Sequence, residues 1–116
     1  MPQALGHRPA IVCLSGSTRF REVFQNADRN LTLAGHIVLS CGVFAHAEGV
    51  SLTDQAKADL DALHLAKIDI ADSLFVINPG GYVGTSTRAE IDYAQSLGKP
   101  VVYLVPPERR LLADAV

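Results

Sequence analysis

Four short apolar runs punctuate the chain: 10–15 (AIVCLS), 36–40 (HIVLS), 73–78 (SLFVIN) and 100–105 (PVVYLV). Each is continuous rather than alternating, the pattern of strands buried on both faces of a parallel sheet. The segments between them carry helical periodicity. Phe20, Val23, Phe24, Ala27 and Leu31 recur at spacings of three and four, with Ser17 and Thr18 as candidate caps and Gly35 as a stop. Leu60, Leu63, Ala66/Lys67 and Ile70 predict the apolar stripe of a second helix within 53–71. Ile91, Ala94 and Leu97 mark a third, ended by Gly98 with Pro100 just beyond. A terminal helix is expected over 108–115.

Strand–helix alternation predicts an α/β fold, a flavodoxin-like (Rossmann-like) three-layer sandwich. Its mostly parallel sheet should have about four strands in the order 2-1-3-4, with helices on both faces. In such sheets ligands bind beyond the carboxyl ends of the strands, at the switch point between strands 1 and 3. The loops 15–20, 41–52 and 78–87 should therefore line one crevice.

Composition narrows the picture only a little. At 116 residues, 48% hydrophobic and 19% charged, the chain is expected to form one globular domain over 1–116. A net charge of -2 speaks against a nucleic-acid polymer or an anionic membrane as partner. Cys13 and Cys41 read as buried free thiols, and no cysteine or histidine spacing suggests a metal site. The opening MPQALGHRPA has no signal-peptide pattern and no apolar stretch is long enough to span a membrane, so a cytoplasmic protein is expected.

The three loops hold the candidate chemistry. In LSGSTRF, Gly16 allows close backbone approach, Ser17 and Thr18 offer hydroxyls at a helix start, and Arg19 suits a phosphate; plain capping is the competing reading. In CGVFAHAEGVSLT, Phe44 and His46 suit a planar ring and Glu48 a hydrogen bond, although Phe44 is equally suited to fold back on the core. In GGYVGTSTRAE, Gly80, Gly81 and Gly84 permit close approach and Tyr82 offers a flat face. Thr85, Ser86 and Thr87 supply hydroxyls, with Arg88 beside them. Thr87-x-x-Glu90 also matches a capping box, and on local pattern alone that role for Glu90 leads. Asp61 and His64 share a face of the second helix, where a solvated acidic face and a core-edge histidine are the plain alternatives. Asp72, just before the third strand, suits a bond to nearby backbone.

Taken together, the GS-x-R loop, IDIADSLFVIN and GTSTRAEIDYAQSLGKPVVYL resemble the nucleoside 2-deoxyribosyltransferase superfamily over roughly residues 11–104. The GGY-x-G-x-STR variant is similar to a bacterial and phage-type branch of it. The resemblance implies that Glu90 is a nucleophile attacking C1′ of a nucleoside 5′-monophosphate, displacing the base and leaving a covalent glycosyl ester. It implies that Ser17 and Arg19 hold the 5′-phosphate, that Ser86 and Thr87 assist, and that the protein is a homodimer needing no cofactor. His64 stands where the superfamily often has a proton-donating aspartate, and Ser86 where it usually has glycine. N-glycosidase activity is the expectation, with His64 or Asp61 handling protons and Tyr82 and Phe44 flanking the base. Deoxyribosyl transfer between bases, and a non-catalytic nucleotide-binding or sensing module, are the alternatives.

Overall fold

The computed structural model describes residues 8–107; the helix expected over 108–115 lies outside them. The apolar runs form β1 (Ile11–Gly16), β2 (Ile37–Leu39), β3 (Ser73–Ile77) and β4 (Val101–Tyr103). All pair in parallel in the order β2-β1-β3-β4, the expected flavodoxin-like arrangement. Central β1 and β3 are buried almost throughout, whereas β2 and β4 are three residues long and partly exposed, as edge strands are.

Helices α1 (Arg21–Leu33), α3 (Asp54–Ile70) and α4 (Thr85–Ser96) form the crossovers, with a single-turn α2 (Ala45–Glu48) in the loop after β2. The sheet separates two cores. Phe24 and Ala27 of α1 pack with Val12, Leu14 and Ile77 on one face. Ile68 of α3 and Ile91 and Ala94 of α4 pack with Cys13, Leu74 and Val76 on the other. Right-handed crossovers dictate this division, because the chain moves one way from β1 to β2 and the other way thereafter.

The stripe expected on α3 is displaced. Leu63 and Ile70 are more than half exposed, while His64 and Ile68 are the buried positions. Apolar residues occur on several faces of this helix, so periodicity alone chose the wrong one. Thr53 caps it, accepting from the Ala56 N–H. Its C-terminal carbonyls are satisfied from a distance: Lys99 Nζ donates to Ile68 O at 2.8 Å, Asp69 O at 2.5 Å and Ala71 O at 2.7 Å. Asp72 bonds backbone as anticipated, accepting from Ile11 N at 2.7 Å, and it also takes a two-pronged contact from Arg8. That pairing holds the Asp72 carboxyl well below the usual carboxylate range.

Gly16 is dictated by strand packing. A Cβ there would stand 2.6 Å from the Ile77 carbonyl oxygen and 2.9 Å from the Ile77 Cβ. Only glycine lets β1 run this close to β3 at the carboxyl edge.

Candidate functional site

Beyond that edge lies a cavity of about 700 Å³, large enough for a nucleotide-sized ligand. All three expected loops reach it. Gly16, Ser17 and Thr18 come from the first, Val43, His46 and Leu52 from the second, and Tyr82, Ser86 and Thr87 from the third; α3 adds Asp61, His64 and Lys67.

Glu90 also lines the cavity, and its local setting corrects the capping-box reading. α4 begins at Thr85 with Gly84 as its N-cap, three residues earlier than the box requires, and no side chain caps it. Glu90 is therefore in the second turn, where its carboxylate cannot return to the helix start. It projects instead toward β1. Ser15, fully buried at the end of that strand, donates its hydroxyl to Glu90 Oε1. His64 Nε2 stands 3.5 Å from the same oxygen.

Burial raises the Glu90 carboxyl above its ordinary value, the Ser15 hydrogen bond pulls it back, and the Asp61 charge adds a smaller upward push. Burial, reinforced by the Lys67 charge, lowers His64 to about 4, so its imidazole is neutral near pH 7. Desolvation thus disfavours the protonated imidazole on which the expected proton-handling role of His64 would draw. Cys13 and Cys41 are free thiols, as anticipated. Burial pushes Cys13 up to about 12 and Cys41 up to about 11, so neither is a thiolate near neutral pH. Glu90 is left as the side chain in this group suited to nucleophilic attack.

The first loop is organised by its own side chains. Ser17 caps the 3-10 turn Thr18–Phe20 and accepts from both Arg19 N at 3.3 Å and Arg19 Nε at 3.1 Å. Arg19 does not line the cavity. Its guanidinium lies over the Tyr82 ring, 4.9 Å from the centroid, at the cavity's edge. Thr18 Oγ1 accepts from His46 N, and Arg21 pairs with Glu48 at 3.4 Å, so the second loop is fastened across the first.

Phe44 does not contact the cavity either. Its ring meets Phe24 edge-on at 5.2 Å and joins the α1 core, which decides between its two readings. Gly81 and Arg88 likewise lie outside the lining; both are exposed. Gly81 serves its turn, with φ of 84° and an N–H donated to Asn78 O. Asp61 is at the rim, paired with Lys57 at 3.3 Å and more than half exposed.

Two groups at the site were not legible as candidates: Ser15, buried behind Glu90, and Lys67, which lines the cavity. Ser15 had one signal, a hydroxyl ending an otherwise apolar strand run. Lys67 sat in the expected apolar stripe, yet its ammonium donates to Ser40 O at 2.8 Å beside the cavity.

The fold and this arrangement define an α/β protein with a ligand cavity at the sheet's switch point and a desolvated carboxylate inside it. Comparison with family models and with curated proteins returned no match to this chain. Among the described residues no helix is long and apolar enough to cross a membrane.

Proposed function

We propose that this protein is an N-glycosidase that hydrolyses the base–sugar bond of a nucleoside 5′-monophosphate. The observation that carries the reading is the Ser15–Glu90–His64 group in the switch-point cavity. A carboxylate removed from water but aimed by a donated hydroxyl is a competent nucleophile toward an electron-poor sugar carbon.

In this mechanism Glu90 attacks C1′ as the C1′–N bond breaks through an oxocarbenium-like transition state. The covalent ester is then opened by water, or by a second base in the transfer variant. Ser15 orients Glu90 and tempers the rise in its pKa, while neutral His64 confines the carboxylate from the α3 side. Thr85, Ser86 and Thr87, at the open start of α4, supply hydroxyls and N–H groups for the sugar and phosphate. Ser17 contributes from the first loop. Arg19 reaches the phosphate by leaving its stack on Tyr82, a side-chain movement alone. A cytoplasmic homodimer belongs to the same reading.

The test is to incubate the protein with a panel of nucleoside 5′-monophosphates and follow free base by chromatography. Base release that vanishes in Glu90→Gln supports the N-glycosidase. Nucleotide binding without release, unchanged in Glu90→Gln, supports a sensing module instead.

A further inference from the structure

The lining of the cavity is divided by origin. Its hydroxyls and Glu90 come from the first loop and α4, whereas its aliphatic side chains, Val43, Val50, Leu52, Leu60 and Leu63, come from the 41–52 loop and α3. A nucleotide matches this division with its sugar and phosphate toward the α4 side and its base toward α3. On that side Phe44 is absent from the lining, so the base meets aliphatic groups and the polar residues of α3.

Those polar residues are Lys57, Asp61, His64 and Lys67, and the Lys57 ammonium is more than half exposed and paired with Asp61. Asp61 is a half-exposed carboxylate tied to Lys57. His64 is neutral near pH 7 and already beside Glu90. Lys67 lies one turn beyond His64 on the same face of α3. One donor of its ammonium is used at 2.8 Å on Ser40 O, which fixes the group in place. An ammonium has three donors, so two remain for a ligand in the cavity that Lys67 lines.

We infer that Lys67 is the leaving-group residue. Its ammonium donates to the base acceptor beside the glycosidic nitrogen, O2 of a pyrimidine or N3 of a purine, and stabilises the base as the bond breaks. The inference rests on the N-glycosidase reading above. The C1′–N electron pair passes to the base while a Glu90 oxygen bonds C1′. Lys67 keeps its proton. Water then opens the ester, its hydroxyl going to C1′ and its proton to the base, and Glu90 is restored as carboxylate. A preorganised cation acts most strongly where charge develops, so its benefit is greatest for bases that are poor anions.

The experiment compares wild type, Lys67→Gln and Lys67→Arg on deoxyuridine and deoxyadenosine 5′-monophosphates, each beside a ring-fluorinated derivative whose base is more acidic. Lys67→Gln is expected to lower kcat ~100-fold on the parent nucleotides and under ~10-fold on the fluorinated ones, with KM little changed. Lys67→Arg, which keeps the charge, is expected to retain the wild-type ratio between the two. That ratio does not depend on how much of a variant is folded, so misfolding cannot mimic the effect. If Lys67→Gln slows parent and fluorinated substrates equally, the role of Lys67 is overturned while the N-glycosidase reading stands. If wild type releases base from none of them, both fall together.

Discussion

The hydroxyl of Ser15, at the carboxyl end of β1, is donated to Glu90, 75 residues further along the chain in α4. The bond joins the central strand to the helix crossing beside it and sets which way the carboxylate points. Ser15→Ala removes the contact that holds the Glu90 pKa down. The acidic limb of the pH–rate profile should then move to higher pH, with kcat lowered about tenfold and KM little affected. A profile with an unmoved acidic limb would show that Ser15 only fills space.

Glu90→Gln keeps the size of the side chain and an acceptor for Ser15, but removes the nucleophile that the proposed mechanism requires. Base release should fall by a factor of ~10³ or more. Stability should move the other way. The folded pKa of Glu90 lies above its unfolded value, so native stability declines as pH rises from about 4.5 through the folded pKa. At pH 7 the variant should therefore be the more stable in urea unfolding.

His64 acts with the opposite sign. Its folded pKa is lowered to about 4 from 6.5. The unfolded chain takes up this proton first, so the contribution is intact above pH 6.5 and is lost as pH falls toward 4. The full loss is roughly 3 kcal/mol. Replacing His64 by Asn should flatten the fall in stability over that window, measured as urea midpoints between pH 7 and pH 4.

Gly16→Ala places a methyl against backbone as well as side chain, since both Ile77 O and Ile77 Cβ are under 3 Å from the new atom. β1 and β3 must part at the mouth of the cavity. The expected cost is about 2 kcal/mol, a fall of several degrees in Tm, accompanied by weaker nucleotide binding.

Lys99→Met should cost about 1–2 kcal/mol, because Asp69 O and Ala71 O at the end of α3 lose this donor and Ile68 O keeps only the Ala71 N–H. Lys99 does not line the cavity, so KM for the nucleotide should be unchanged. Thermal unfolding and steady-state kinetics on the same preparation separate the two effects.

Much of the fold could be read directly. Continuous apolar runs separated by helical periodicity led to the strand order and to the three loops at one edge, because a parallel sheet admits few connections. The faces of α3 could not be read this way. Leu63 and His64 are adjacent in sequence, and nothing local says that the leucine is left more than half exposed at the cavity while the histidine turns inward. Phe44 posed the same difficulty, settled only by the Phe24 ring on the far side of the chain's first crossover.

Glu90 shows where the two kinds of information divide. The sequence by itself determined that a carboxylate follows a glycine- and hydroxyl-rich loop and lies on the helix entering the last strand. Its helical register, three residues away from a capping position, was decided by where α4 starts. Its partners were decided by tertiary structure alone: β1 brings Ser15 from one side and α3 brings His64 from the other. Local pattern records what a residue can bond within a turn. Desolvation and hydrogen bonding between elements, which set the carboxylate's direction and charge, exist only once the sheet and its helices have packed.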